Sequence, residues 1–252
     1  LTPQRLVYDD RQKLESEVTI MKSAFKHVAL FSKDPDRLLD FYQNNLGFSV
    51  IRRSPSGSLY TSEGLIMCAM LKHRERSEAR WIGFDHFGFH VDDMEEAKRR
   101  VTEALPNCQW GQRPQDGRYA EYRFLDMDGH PVDVSVEGFR TKDDLTPPTV
   151  RHVTIEASDT AATAVFYKAA FDLKELARTA DEVLLSDGTI SLSFVKHQNG
   201  GSSCKILGMG FEVKDPEKVA AGFPVQKALG NGKYEVKDVD GNTLELAASW
   251  RV

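Results

Sequence analysis

The sequence predicts an α+β fold made of four β-α-β-β-β units, paired into two similar domains, and three observations carry that expectation. The stretch DMDGHPVDV at residues 126–134 returns as DVDGNTLEL at residues 238–246. His27 recurs as His152, and the pair Phe41-Tyr42 recurs as Phe166-Tyr167, in both cases 125 residues on. Segments with one apolar and one polar face open four times, at residues 26–32, 86–92, 151–157 and 208–214. Self-similarity at a fixed offset is the signature of a duplicated supersecondary unit.

In residues 26–32, KHVALFS, His27, Ala29 and Phe31 alternate with Val28 and Leu30, the period of a strand. Asp34-Pro35 then predicts a helix start, Asp as N-cap and Pro at the first helical position. Leu38, Phe41, Tyr42 and Leu46 form the apolar stripe of that helix, and Gly47 stops it. Residues 48–53, 58–62 and 64–71 read as three short strands punctuated by Pro, Ser and Gly. The second unit opens with HFGFHVD, residues 86–92, in which Phe87, Phe89 and Val91 face one way and His86, Gly88 and His90 the other. Asp92 or Asp93 caps its helix, whose stripe is Met94, Ala97, Val101 and Leu105, and strands follow near residues 119–125 and 132–137.

The polar, Pro-containing stretch 141–149 is the predicted boundary. The expected organisation is an arm over 1–21, a first domain over 22–140, a linker over 141–148 and a second domain over 149–252. The arm is charged, has no apolar h-region and is given no role. In the second domain, RHVTIEA opens the third unit and GMGFEVK the fourth; Asp215-Pro216 starts a helix and residues 243–248 form the closing strand.

Composition narrows the function classes. Hydrophobic residues make up 40% and charged residues 28% of 252, with a net charge of −5. That balance argues against a phosphate backbone or an anionic membrane as partner. No run of about 18 apolar residues exists to span a bilayer. Cys68, Cys108 and Cys204 are odd in number and far apart, which reads as free thiols in a reducing cytosol. There is no Gly-rich phosphate loop, no G-x-S-x-G elbow and no basic-aromatic strip.

The acidic turn is the feature that points toward chemistry. After Gly129, Val132, Val134 and Val136 face one side of a strand, and Asp133, Ser135 and Glu137 the other. A strand with one apolar and one acidic face lies between a core and something polar.

Four such units, strands that open with His, Phe-Tyr in the first helix and a D-x-D-G turn before an acidic strand resemble the vicinal oxygen chelate superfamily. Glyoxalase I, bleomycin-resistance proteins and extradiol ring-cleaving dioxygenases belong to it, and the resemblance covers residues 26–250. It implies curled mixed sheets with helices on the outside and a cup that holds a divalent metal. Carried over from the extradiol dioxygenases, the implied ligands are His27, His86 and Asp133. The alternation independently places all three on polar strand faces. Two imidazoles and a carboxylate leave about three positions for substrate and O₂ or water, which favours Fe(II), with Mn(II), Ni(II) or Zn(II) able to use the same donors.

The family more often has Glu than Asp at the third position, so Glu137 is a reserve ligand. A fourth, glyoxalase-type ligand has no match, because the strand at 64–71 has no acid beyond Glu63 before it. His90 is the implied acid-base group. Tyr122 is the implied substrate-binding tyrosine, with Tyr119 the neighbour to test. Arg113 and Arg118 are candidates to meet an anionic substrate, Trp81 and Trp110 are read as packing residues, and His73, His130 and His197 as solvated or surface residues.

The implied function is a cytoplasmic metal enzyme most like an extradiol dioxygenase, acting on a small aromatic diol or similar molecule, with a homodimer compatible. The alternatives are a metal-free binding or resistance protein and a glyoxalase-like lyase or isomerase. The second domain keeps His152 and Glu245 but has Gly208 where His86 would be matched, with Glu212 the one substitute on that face. It is therefore expected to be metal-free, with Gly208 and Gly210 admitting a close approach by another segment or a ligand.

Overall fold

The computed structural model describes residues 21–74, 81–114, 119–197 and 205–252. The expectations for residues 1–20, Arg118 and Cys204 lie outside the described residues. The first half runs β1 (Ser23–Ser32), α1 (Pro35–Leu46), β2 (Ser49–Arg53), β3 (Leu59–Ser62), β4 (Met67–Lys72), β5 (Gly83–Val91), α2 (Met94–Ala104), β6 (Gly111–Gln112), β7 (Tyr122–Leu125) and β8 (Pro131–Ser135). The second half repeats it as β9 (Thr149–Ala157), α3 (Thr160–Phe171), β10 (Lys174–Arg178), β11 (Glu182–Ser186), β12 (Ser191–Lys196), β13 (Ile206–Glu212), α4 (Pro216–Ala220), β14 (Gln226–Gly230), β15 (Lys233–Lys237) and β16 (Thr243–Ala247).

Each half is one eight-stranded mixed sheet, ordered β2-β3-β4-β1-β5-β8-β7-β6 and β10-β11-β12-β9-β13-β16-β15-β14. The α+β fold of four β-α-β-β-β units is thus observed. The two units of each sheet join through an antiparallel pair of their first strands, β1 with β5 and β9 with β13. Each of these first strands runs parallel to the last strand of its own unit, as β1 does to β4 and β5 to β8.

All four helices among the described residues start at an Asp cap. Asp34, Asp93, Asp159 and Asp215 each accept a hydrogen bond from a backbone N–H in the first turn, satisfying donors that would otherwise be orphaned. Gly47 closes α1 at φ +72°, a backbone conformation that costs glycine little. The apolar faces of both sheets and the helices that cover them share one hydrophobic core. Phe89 of β5 stacks on Phe171 of α3 at 4.1 Å, and Phe48 of the first half meets Phe211 of the second at 6.2 Å. The polar faces are turned away from this shared core. Met21, expected in the arm, is 1% exposed and belongs to it.

The repeated motifs lock the halves together reciprocally. In the D-x-D-G turns, Oδ1 of Asp126 accepts the backbone N–H groups of Asp128 and His130, and Oδ1 of Asp238 accepts those of Asp240 and Asn242. The other oxygen of each reaches across the molecule. Tyr42 donates to Asp238 at 3.1 Å, and Tyr167 donates to Asp126 at 2.8 Å. A second exchange joins Glu63 to the Val150 N–H at 3.2 Å and Asp187 to the Phe25 N–H at 2.8 Å. Phe25 and Val150 are themselves 125 residues apart. His130, expected in solvent, is instead buried beside Asp126, 3.0 Å from its Oδ2. The tight turn draws it inward because Asp126 accepts both its backbone N–H and its ring.

Candidate metal centre

β1, β5 and β8 lie side by side at the middle of the first sheet, and each contributes one polar residue. His27 pairs in register with Gly88, and Gly88 with Asp133. Gly88 therefore stands between them, and its lack of a side chain has a local purpose. A Cβ there would meet the Asp133 carbonyl at 2.6 Å and the Asp133 Cβ at 3.0 Å. Because residue 88 projects nothing into the space between them, the short Asp133 side chain faces the two histidines.

A bulge sets the other side of the site. The β1–β5 register shifts between Ala29–His86 and Leu30–Phe84, leaving Asp85 as the extra residue. In a regular strand, adjacent side chains point to opposite faces. Here Asp85 and His86 both line the cavity, and the Asp85 carboxylate lies 2.6 Å from His86 Nδ1. On the other histidine, Nδ1 of His27 lies 3.0 Å from the Met67 carbonyl. A carbonyl and a carboxylate can only accept, so both rings carry their proton on Nδ1 and present a bare Nε2.

The two Nε2 atoms lie 3.3 Å apart, and Asp133 Oδ2 lies 3.4 Å from that of His86 and 3.9 Å from that of His27. All three side chains are buried. Burial and the nearby His86 push the His27 pKa down to about 3, so this ring is neutral near pH 7. Burial disfavours the charged form of Asp133, but His86 and Arg123 more than offset this and hold the carboxyl well below its usual range. With both rings neutral, two lone pairs and an anionic oxygen face one another. That donor set fits a cation. A point equidistant from all three atoms lies about 2.1 Å from each, the length of a bond from Zn(II) or a similar ion to nitrogen or oxygen.

A cavity of about 610 Å³ opens over this triangle. Phe139, on the chain returning from β8, stacks on His27 at 5.0 Å and closes one end. Tyr60 and Tyr119 meet edge to face at 5.1 Å on the wall, with the Arg52 guanidinium over the Tyr60 ring at 4.4 Å.

The remaining candidates fall in other places. His90 shares the strand face of His86 but does not line the cavity. Its Nε2 donates to the Val136 carbonyl at 3.0 Å and its ring lies against Gly138. The segment that brings Phe139 onto His27 covers it. Tyr122 also stands off the cavity: it pairs with Val134, so it shares the apolar face and packs against Trp110 and Lys98 of the helix layer. β7 begins at Tyr122 rather than at 119, and Tyr119 is the tyrosine on the cavity. Glu137 is exposed beyond the end of β8 and takes no part in the cluster. His73 and His197 are half-buried at strand ends, and Trp81 is 49% exposed while its ring N–H donates to the Phe84 carbonyl.

Arg123 is among the residues that sequence reading missed. Its Nε donates to Asp133 Oδ1 at 2.5 Å, on the side of the carboxylate away from the histidines. The signal was present: the D-x-D-G turn pairs residue 125 with 131, and hence 123 with 133. Arg113, a candidate for an anionic substrate, lines the cavity 4.0 Å from the same oxygen.

Residues 24–134 match the family model described as the Glyoxalase/Bleomycin resistance protein/Dioxygenase superfamily. This region belongs to that superfamily. Solved structures extend the fold likeness to both halves. The 2,3-dioxygenase LapB from Pseudomonas sp. KL28 superposes with a TM-score of 0.65 at 15% identity, covering 88% of this chain and 90% of that one. The Mn(II)-bound glyoxalase from Novosphingobium aromaticivorans gives 0.65 at 14%, covering 88% and 80%. An E323L mutant of homoprotocatechuate 2,3-dioxygenase from Brevibacterium fuscum gives 0.65 at 12%, covering 88% and 70%. No curated protein matches the chain significantly by sequence. Among the described residues no helix is long and apolar enough to cross a membrane.

Proposed function

We propose that this protein is a divalent-metal enzyme that chelates two adjacent oxygens of a small substrate through an ion held by His27, His86 and Asp133. Extradiol ring cleavage is the reaction its dioxygenase neighbours favour. The observation that supports the reading is the convergence of the three donor atoms, which all lie within 4.8 Å of one another. Bound there, a divalent ion supplies Lewis-acid polarisation of substrate oxygens, and the donor set suits Fe(II), with Mn(II), Ni(II) or Zn(II) able to use it.

The chain's own residues hold and orient. Met67 and Asp85 fix the two imidazoles in the Nδ1–H form, so that Nε2 is the free donor. Arg123 holds Asp133 by one oxygen and leaves the other for the ion. Phe139 and the Tyr60–Tyr119 pair give a planar substrate apolar surface to lie against.

A glyoxalase-like lyase or isomerase reaction is the second reading, and one observation favours it. Among the described residues, the histidines on the cavity are the two ligand candidates, and His90, the implied acid-base group, stands off the cavity. The Mn(II)-bound glyoxalase also superposes as well as the dioxygenases do.

One experiment separates the readings. Protein stripped with chelator and reloaded with Fe(II) or Mn(II) is expected to take up about one ion per chain, because the ligands must be deprotonated and preassembled. Oxygen uptake with a panel of catechols supports ring cleavage. Turnover of a 2-oxoaldehyde hemithioacetal without oxygen supports the second reading. Less than about 0.1 ion per chain overturns both and leaves a metal-free binding protein.

A further inference from the structure

The two histidines of the triangle are bracketed by two bulges that cancel. Phe25 of β1 pairs with Phe89, and His27 then pairs with Gly88, which leaves Lys26 as an extra residue. Beyond the Ala29–His86 pair, the Asp85 bulge restores the original register. Side chains alternate between the faces of a regular strand, and a bulge breaks that alternation. Phe25 and Val28 both lie in the core, so Lys26 and His27 share the opposite side of β1 between them. Had the register of Phe25 with Phe89 run on, His27 would stand opposite the core residue Phe87 and point away from the cavity. The Lys26 bulge is what turns His27 toward His86 and Asp133.

What holds this bulge comes from the other half of the molecule. β4 pairs with β1 only from His27 onward, so Phe25 lies beyond that ladder. Its backbone N–H donates at 2.8 Å to Oδ2 of Asp187, 162 residues along the chain. Oδ1 of the same carboxylate accepts the N–H groups of Thr189 and Ile190, at 2.8 Å each, in the turn between β11 and β12. Asp187 is thereby fixed in its own turn and presents one oxygen to β1. The duplication repeats the device. β9 and β13 carry the same two shifts, with Arg151 the extra residue between the Val150–Phe211 and His152–Gly210 pairs. The β12 ladder likewise starts at His152, and the Val150 N–H donates to Glu63 of the first half at 3.2 Å. In each half a carboxylate of the other half takes the N–H just ahead of the bulge, a donor that is costly to bury unpaired.

We infer that Asp187 is a positioning residue for the metal centre: from the second half it pins the Lys26 bulge and so holds His27 on the cavity face. This assignment rests on the function proposed above. It gives the second half a part in ion binding although its own cup is filled.

The test uses Asp187→Asn in the full chain. The amide keeps an oxygen for its own turn but sets an NH₂ group against the Phe25 N–H, donor to donor. Mn(II) affinity is measured by titration of chelator-stripped protein, the histidine ring signals by NMR without metal, and stability by urea unfolding. Asp187→Asn is expected to weaken Mn(II) binding about tenfold and to displace the His27 ring signal. Tyr42→Phe, which removes the Tyr42–Asp238 bond between the halves, should lower stability and leave both readouts unchanged. Lowered stability in Asp187→Asn with wild-type Mn(II) affinity and an unmoved His27 signal overturns the inference, because a merely structural contact behaves that way. If the wild type takes up no Mn(II), the proposed function fails and the His27 signal decides the positioning: displaced in Asp187→Asn it holds, unmoved it falls. If Asp187→Asn does not fold, backbone amide exchange on the wild type decides. Mn(II) should slow the Phe25 amide about fivefold and leave Val150, its counterpart at the second bulge, unchanged. Equal slowing of both amides, or of neither, overturns the inference.

Discussion

In both halves of the molecule the chain leaves its last strand, turns back and lays an aromatic ring on the histidine of the first strand. Phe139 stacks on His27 at 5.0 Å and Trp250 on His152 at 4.6 Å. The two cups nevertheless differ in what surrounds the histidine. His27 has its Nε2 3.3 Å from a second imidazole and open to a cavity. His152 has Nδ1 on the Ser191 hydroxyl at 2.8 Å and Nε2 on the Thr154 hydroxyl at 3.2 Å, so both nitrogens are satisfied within the protein. Where His86 would be matched stands Gly208. At Gly210, a Cβ would fall 2.5 Å from the Trp250 ring. The close approach that Gly210 admits is made by Trp250. One duplicated scaffold thus supports a polar, charged cup and a filled one, and the difference lies in a few side chains rather than in topology.

The largest expected effect breaks the first cup. His86→Ala and Asp133→Ala should each lower bound metal at least tenfold by elemental analysis after reloading, because two donors do not hold an ion tightly. His152→Ala, in the filled cup, should leave the stoichiometry unchanged. Retention of metal by both first-cup variants would refute the ligand assignment.

Emptying the second cup is the next test. Trp250→Ala removes a half-buried ring that lies on His152 and under the Lys233 ammonium at 3.9 Å. It should cost about 2 kcal/mol in urea unfolding. It should gain no metal, since His152 and Glu245 supply only two donors.

The reciprocal bonds between halves give a smaller and symmetrical effect. Tyr42→Phe and Tyr167→Phe each leave a buried Asp oxygen short of one donor and should cost about 1 kcal/mol apiece. A loss confined to one of them would show that the interlock is not shared equally.

A further test is a pH dependence. Burial raises the Glu63 carboxyl to about 7, against the hydrogen bonds it accepts, which act in the opposite direction. The folded state then binds this proton more tightly than the unfolded chain does. The contribution is fully present below the unfolded value of 4.5 and is lost as pH rises toward 7. Glu63→Gln should flatten that loss when unfolding is compared at pH 5 and pH 8.

What the sequence by itself determined was whatever depends on local period and local turn chemistry. The alternation in residues 26–32 and 86–92, the Asp caps and the D-x-D-G turns each depend on neighbours a few residues away, so the four units and their 125-residue register were legible. The convergence of His27, His86 and Asp133 followed from strand parity together with the family resemblance. Tertiary structure decided the rest. The bulge that turns Asp85 toward His86 is a register shift between strands more than fifty residues apart. The covering of His90 by the Phe139 segment depends on where the chain goes after its last strand. Tyr122 moved to the helix face because parity counts from where a strand pairs, and β7 pairs Tyr122 with the core residue Val134. Side-chain direction in a sheet is set by pairing register, and register is a property of two strands, which no single stretch of sequence contains.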